Sequence, residues 1–157
     1  MTEQQEQYAI EKATPREIAL GSLRATSPTN IIQEATEIAT PLAALIEERR
    51  LYSNISGKKY VRVEGWTTLG AMLGVSPREV ETRRLEDGGY ESTVELVRVN
   101  DGHVIGRGSA LCGMDEKRWA NRDEYARRSM AITRATSKAF RLSFSWIITL
   151  AGYEATP

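Results

Sequence analysis

Residues 78–112 read REVETRRLEDGGYESTVELVRVNDGHVIGRGSALC. Two turns, Asp87-Gly88-Gly89 and Asn100-Asp101-Gly102, have the composition of tight hairpins, because Asp, Asn and Gly accept the backbone angles that such turns require. They separate three segments, which are Arg78–Leu85, Tyr90–Val99 and His103–Cys112. The stretch therefore predicts a three-stranded antiparallel meander. Gly106 and Gly108 in the third strand predict a bulge or the close approach of another element.

A long helix is predicted after the meander and the polar connection Gly113–Ala120. Asn121, with Glu124 three residues later, has the pattern of a capping box at the helix start. Helical periodicity then continues to about Gly152.

The sequence before the meander predicts two helices and a hairpin. Ser27-Pro28-Thr29-Asn30 offers helix-start chemistry, and Pro41 inside the helical pattern predicts a kink or two short helices. The apolar positions of this first helix are Ile31, Ala35, Ile38, Leu42, Leu45 and Ile46. The hairpin consists of Leu51–Ile55 and Lys59–Val63 around Ser56-Gly57-Lys58. A short amphipathic helix follows, with Trp66, Leu69, Met72 and Leu73 at helical spacing and its end near Gly74 and Pro77.

Together these elements predict an α+β fold. A hairpin and a helix precede the antiparallel meander, and the long C-terminal helix packs across the meander to give a β-β-β-α core. The 157 residues suit one globular domain, which we place at residues 27–157. Residues 1–26 lack an apolar period and are predicted to form an arm that is flexible or contacts a neighbouring molecule.

Composition predicts a cytoplasmic protein. No run approaches the roughly 18 apolar residues of a membrane span. The first residues, MTEQQEQYAIEK, are polar and acidic, unlike a secretory signal. The single cysteine, Cys112, excludes an internal disulfide framework and indicates a reducing compartment.

The charge of the chain is balanced in total but unevenly distributed. The sequence contains 21 basic and 21 acidic residues. Residues 1–50 have a net charge of −3 and residues 114–157 a net charge of +3. A basic C-terminal third is compatible with one surface that binds anions.

The predicted C-terminal helix carries a row of cations, here named the cationic ridge: Arg127, Arg134, Lys138 and Arg141. At 100° per residue these four lie within roughly 60° of one another. The residues predicted to form the opposite, apolar face are Tyr125, Ile132, Ala135, Ala139 and Phe140. After Glu124 the sequence contains no acid before Glu154, so neighbouring acids on the helix do not neutralise the later cations. A phosphate backbone would neutralise them; the alternative is an ordinary solvated face.

Two further basic groups accompany an aromatic residue. In the hairpin, strand alternation places Lys58, Tyr60 and Arg62 on one face, next to Lys59, which suits contacts with a nucleic-acid backbone and a stacked base. The alternative is a hairpin whose lysines only keep its tip soluble. Before the C-terminal helix, Trp119 with Arg122 could stack on a base or seal the start of the helix.

Catalytic chemistry is poorly supported by the sequence. The single histidine, His103, adjoins a tight turn without a second His or a Cys to share a metal. A phosphate-binding G-x-x-x-x-G-K-[ST] loop is absent from the sequence, which excludes an ATP-driven strand exchanger by motif. Four acids suggest a small metal-dependent nuclease as one alternative, or solvent-facing strand residues as the other; these are Glu79, Glu81, Glu91 and Glu95. We predict neither an enzyme nor a cofactor or metal.

The order of elements resembles the core of the single-strand annealing proteins of the Rad/Erf/Redβ type. Ser137-Lys138-Ala139-Phe140-Arg141 is similar to the basic run on the corresponding helix of the eukaryotic members, with Ser137 in place of their first cation. The segments GWTTLGAMLG (65–74), RSMAITRATSKAF (128–140) and LAGYEATP (150–157) also resemble phage and prophage reading frames.

This resemblance implies ATP-independent binding of single-stranded DNA and annealing of complementary strands in phage-type recombination. It implies a homo-oligomer, as a ring or helical filament, with a single-strand-binding protein or an exonuclease as a further candidate partner. The predicted DNA-binding residues are Arg127, Arg134, Lys138, Arg141, Lys58, Lys59, Tyr60, Arg62, Trp119 and Arg122. An RNA- or DNA-binding regulatory protein that uses the same helix remains the alternative.

Overall fold

The computed structural model describes residues 2–5, 18–20, 23–25 and 27–155. The α+β fold predicted from the sequence is confirmed. In chain order the elements are β1 (Ile18–Leu20), β2 (Leu23–Ala25), α1 (Pro28–Arg49), β3 (Tyr52–Ile55), β4 (Lys58–Val61), α2 (Val63–Leu73), β5 (Val75–Arg84), β6 (Tyr90–Arg98), β7 (Val104–Cys112), α3 (Lys117–Ala120) and α4 (Glu124–Leu150). β1 and β2 pair inside the predicted arm, most of which lies outside the described residues.

Helix α1 begins as predicted but is not divided at Pro41. The Ser27 hydroxyl caps it by accepting a hydrogen bond from the backbone N–H of Asn30 (3.1 Å). The prediction of two short helices is wrong, because buried residues on both sides of Pro41 belong to one core. Ala39 and Leu42 can both face that core only if the helix continues through the proline, which is itself exposed.

The turn of the β3–β4 hairpin has two residues instead of the predicted three. Ser56 and Gly57 both have positive φ angles (52° and 79°), which gives the strands the twist that a two-residue hairpin needs. Lys58 therefore belongs to β4, where it pairs with Ile55.

The meander β5-β6-β7 is confirmed as an antiparallel sheet. Helix α4 lies between two layers, with β6 and β7 on one side and α1 and α2 on the other. Its buried side chains therefore contact both layers, and Trp66 of α2 stacks near Phe140 with ring centroids 6.5 Å apart. The core residues from all layers include Ala35, Leu42, Ile46, Trp66, Leu69, Leu73, Val94, Leu96, Ala135, Ala139, Phe140, Phe144 and Ile147.

The two glycines of β7 allow α4 to approach the sheet closely, as the sequence predicts. A Cβ atom on Gly108 would lie 2.5 Å from the backbone N of Ala139 and 2.9 Å from the carbonyl O of Ala135. A Cβ on Gly106 would overlap the Ser143 hydroxyl. The register also shifts between Leu96 and Val97, beside Gly106, so both predicted features are present.

Helix α4 starts later than the capping pattern predicts. Asp123 is the N-cap, and it makes no side-chain cap hydrogen bond, so the predicted capping box at Asn121 is wrong. Tyr125 was expected on the apolar face, but it is 72% exposed. The reason is that the first turn of α4 precedes the buried apolar residues of this helix, which begin with Ala131.

Candidate nucleic-acid interface

Helix α4 and the edge strand β7 enclose a cavity of about 410 Å³. It contains three of the four predicted cationic-ridge residues. Its lining consists of Ser109, Ala110, Leu111, Thr133, Arg134, Ser137, Lys138 and Arg141. Beside the apolar side chains of Ala110 and Leu111, the lining offers hydroxyl groups and three cations, which can bind an anion.

A second cavity, of about 380 Å³, lies between α4 and the β3–β4 hairpin. Its lining consists of Ser53, Ile55, Tyr60, Val61, Arg62, Val63, Glu64, Met130 and Thr133. Because Thr133 lines both cavities, the two are neighbours, and together they are here named the basic groove. One part is cationic, and the other offers Tyr60 and apolar side chains.

Arg134 is held in the basic groove by an ion pair with Glu116. Its guanidinium donates to both carboxylate oxygens of Glu116 (2.7 and 2.9 Å) and to the carbonyl of Leu111 (2.9 Å). The backbone N–H of Gly113 also donates to Glu116 (2.8 Å). The guanidinium, followed by this N–H, lowers the pKa of Glu116 from 4.5 to about 2. The expectation that acids leave the ridge unpaired is thus wrong for Arg134, because its partner comes from the loop before α3.

The Glu116–Arg134 ion pair should make stability depend on pH in the acid range. Because folding lowers the pKa of Glu116, the pair stabilises the fold above pH 4.5 and loses this effect as the pH falls toward 2. Glu116→Gln removes this titration. We expect the melting temperatures of wild type and variant to differ at pH 6 and to converge near pH 2. A constant difference across that range would contradict the assignment.

Lys138 and Arg141 are the other two cations that line the cavity between α4 and β7. Lys138 is exposed and Arg141 is half-buried. In the described part of the chain neither forms an ion pair with an acid. Both are therefore available to a polyanion, as the sequence predicts.

Arg127 does not belong to this surface. It is only 7% exposed, and its guanidinium donates to the carbonyls of Gly88 (3.0 Å), Arg122 (2.6 Å) and Trp119 (3.4 Å). Its assignment to the cationic ridge was based on helical angle alone and is not supported by this geometry. The side chain instead ties the first meander turn and the segment before α4 to the helix.

The hairpin places its residues on two faces. Tyr60 and Arg62 line the basic groove, and Arg62 donates to the Ser53 hydroxyl (3.0 Å). Lys58 lies on the same face by alternation and is exposed at the tip. Lys59 points the other way, because adjacent strand residues alternate.

The opposite face of the hairpin is fixed by α1 and the C-terminal segment. Lys59 donates to Glu47 (2.9 Å), and the Tyr153 hydroxyl donates to the same carboxylate (2.7 Å). Burial, followed by the hydrogen bond to Glu47, raises the pKa of Tyr153 to about 12. The backbone N–H of Glu154 donates to the carbonyl of Lys59 (2.9 Å). Lys59 therefore positions the hairpin and does not line the groove.

Trp119 and Arg122 lie outside the basic groove. Trp119 is half-buried, and the guanidiniums of Arg118 and Arg122 lie 5.5 and 5.6 Å from the centre of its ring. The face of the indole ring is thus already in contact with two arginine side chains of the same protein. This arrangement favours the interpretation that Trp119 seals the start of α4.

The four strand acids do not converge on one point. Glu91 pairs with Arg83, and Glu95 pairs with both Arg78 and Arg107 on the sheet face away from α4. Glu79 lies on the other face, where Arg128 donates to it (3.1 Å). Among the described residues, no group of three His, Cys, Asp or Glu side chains is placed to hold a metal ion.

The contribution of β7 to the groove was missed from the sequence. Ser109 and Leu111 line it, although only cations and aromatic residues of the helix and hairpin were predicted to do so. Gly106 and Gly108 could have indicated this contribution, because they allow α4 to approach β7 closely.

The search for related proteins gave no family. Comparisons with protein-family models, curated proteins and solved structures found no match. Among the described residues, no helix has both the length and the apolar character needed to cross a membrane.

Proposed function

We propose that the protein binds single-stranded DNA in the basic groove and anneals complementary strands without ATP. The observation that carries this proposal is the arrangement of Arg134, Lys138 and Arg141 in one groove with Tyr60 on its other wall. Cations neutralise phosphates and release counterions, and an aromatic face stacks on a base of any sequence. Both contacts tolerate every sequence, which is what annealing requires.

The proposed active form is a homo-oligomer, a ring or filament. A groove with four cations (Arg62, Arg134, Lys138 and Arg141) gives modest affinity at physiological salt, because nonspecific binding weakens steeply as salt rises. Repeating the groove along one strand raises avidity through effective concentration. The unequal charge of the N- and C-terminal thirds suits head-to-tail contacts, which generate rings or filaments.

The double variant Lys138→Ala/Arg141→Ala tests the groove. Its affinity for a fluorescent oligothymidine should fall by at least about tenfold near physiological salt, and the salt slope should decrease by about 1.4 for two lost phosphate contacts. The matched control is Arg49→Ala/Lys117→Ala, which removes the same charge from exposed positions outside the groove. Equal affinity and slope in both variants would overturn the groove assignment.

Annealing is measured with the same proteins. Complementary oligonucleotides should pair faster with wild type in EDTA and without nucleotide, while light scattering follows particle size. Binding without faster pairing would favour a regulatory binding protein, and an RNA oligonucleotide bound more tightly than DNA would favour an RNA-binding one.

A further inference from the structure

The backbone of β7 has a free edge at the basic groove. β7 is the last strand of its sheet, and among the described residues no further strand pairs with it. The carbonyl of Leu111 accepts a hydrogen bond from Arg134 and so points away from β6. In an antiparallel strand the N–H and C=O of one residue point to the same side, and residues two apart point to the same side as each other. The N–H groups of Ser109 and Leu111 therefore both point away from β6 and into the groove.

Independent contacts support this alternation. The Ser109 and Thr93 hydroxyls lie 2.9 Å apart, as expected for a cross-strand pair without mutual backbone hydrogen bonds, where side chains come closest. On the other side of β6, the N–H of Val99 donates to the carbonyl of Gly74. Odd-numbered β6 residues therefore face the preceding strand, and their β7 partners point outward.

The opposite edge of the sheet is obstructed. Pro77 of β5 is paired with Leu96, whose backbone N–H and C=O point toward β7. The backbone of Pro77 therefore points away from the sheet, and because proline has no N–H this outer edge lacks a donor there. The register shift at Val80 distorts the same strand. Beside this shift, Arg128 of α4 donates a hydrogen bond to Glu79. Obstruction of this kind normally prevents edge-to-edge pairing. The arginines at or beside β5 are also paired with acids, whereas Lys138 and Arg141 beside β7 form no ion pair among the described residues.

This surrounding favours an anion over an added peptide strand. Arg134 already occupies the Leu111 carbonyl, so a strand would lose one of the acceptors that pairing requires. An anion needs only donors, and Lys138 and Arg141 beside the edge add attraction. The N–H groups of Ser109 and Leu111 are about 6.8 Å apart, two residues along the strand. That spacing resembles the separation of successive phosphates on an extended strand.

We propose that the N–H groups of Ser109 and Leu111 donate to successive phosphates of the bound nucleic acid. The sugar–phosphate backbone then follows the edge of β7, and the bases turn toward Tyr60 and the hairpin. This inference rests on the proposed function and adds the orientation of the strand in the groove. It also makes recognition depend on the main chain, which reads phosphate without regard to sequence.

Ser109→Pro tests the donor, with Ser109→Ala as the matched control. Proline removes the N–H at an edge position, where strands tolerate it, and Gly108 before it accepts the required extended backbone. Both variants lose the hydroxyl, so their difference reports the N–H. Ser109→Pro should bind an oligothymidine about tenfold more weakly than Ser109→Ala at equal melting temperature. Equal affinities would overturn the inference while leaving the proposed function intact.

Amide NMR of the wild-type protein provides the second measurement if Ser109→Pro does not fold. At saturating oligothymidine, hydrogen exchange of the Ser109 and Leu111 amides should slow markedly, and that of Thr82, which points outward on β5, should not. Unchanged exchange at both amides would overturn the inference. If Ser109→Pro formed smaller particles but bound the oligonucleotide with unchanged affinity, the inference would also be overturned. That result would show that the β7 edge contacts a second copy of the protein and not the nucleic acid. Wild type that binds no oligonucleotide would instead contradict the proposed function itself.

Discussion

Gly108→Ala is expected to lower the free energy of unfolding by about 3 kcal/mol, at the upper end of overpacking effects. The new side chain would meet the backbone of Ala139 and Ala135 at 2.5 to 2.9 Å. These are main-chain atoms of a helix that is held between two layers, so they cannot move aside without displacing the core. The loss corresponds to about 10 °C in melting temperature for a domain of this size.

Gly106→Ala is the matched control for this substitution. Its Cβ would meet the hydroxyl of Ser143, which can rotate away, so we expect a much smaller loss of stability. Thermal unfolding followed by circular dichroism compares the two. Equal effects would show that α4 is not seated on β7 as closely as described, and the position of Lys138 and Arg141 over that strand would have to be revised.

Arg127→Met is expected to cost about 3 kcal/mol of stability, because a hydrogen bond to a charged group contributes about 1.5 to 3 kcal/mol. Methionine keeps much of the volume but provides no donor. The carbonyls of Gly88 and Arg122 then lose the guanidinium that satisfies them, whereas the carbonyl of Trp119 still accepts from the backbone N–H of Arg122. Unsatisfied buried acceptors carry their full desolvation cost, which makes this loss larger than that of a surface arginine.

Oligonucleotide binding separates this structural role from the role first predicted for Arg127. At a temperature where Arg127→Met remains folded, its affinity and salt slope should equal those of wild type. Arg141→Ala should show the reverse pattern, with a reduced slope and nearly unchanged stability. A reduced slope in Arg127→Met at full folding would return this residue to the binding surface.

Local sequence signals were sufficient for most of the fold. The turns at Asp87-Gly88-Gly89 and Asn100-Asp101-Gly102 determined the meander, because turn chemistry depends on a few adjacent residues. The prediction of a division at Pro41 of α1 was wrong for the opposite reason. The local penalty of this proline was outweighed by core contacts of Leu42 and Ile46, which only the tertiary structure reveals.

The candidate site was only partly predictable. Helical angles correctly grouped Arg134, Lys138 and Arg141, since periodicity is fixed by the backbone. Whether each cation is buried, paired or open depends on segments distant in sequence. Glu116 reaches Arg134 across 18 positions, and Gly88 reaches Arg127 across 39. Composition and spacing contain no information about such pairs.

The place of α4 between two layers has a consequence for synthesis on the ribosome. The helices α1 and α2 and the whole meander leave the exit tunnel before α4 does. Until α4 emerges, Leu42, Trp66 and Leu96 lack the helix that buries them, and their apolar side chains are exposed to solvent. Domains built on such distant contacts close late. The nascent chain should therefore depend on chaperones until its final helix emerges.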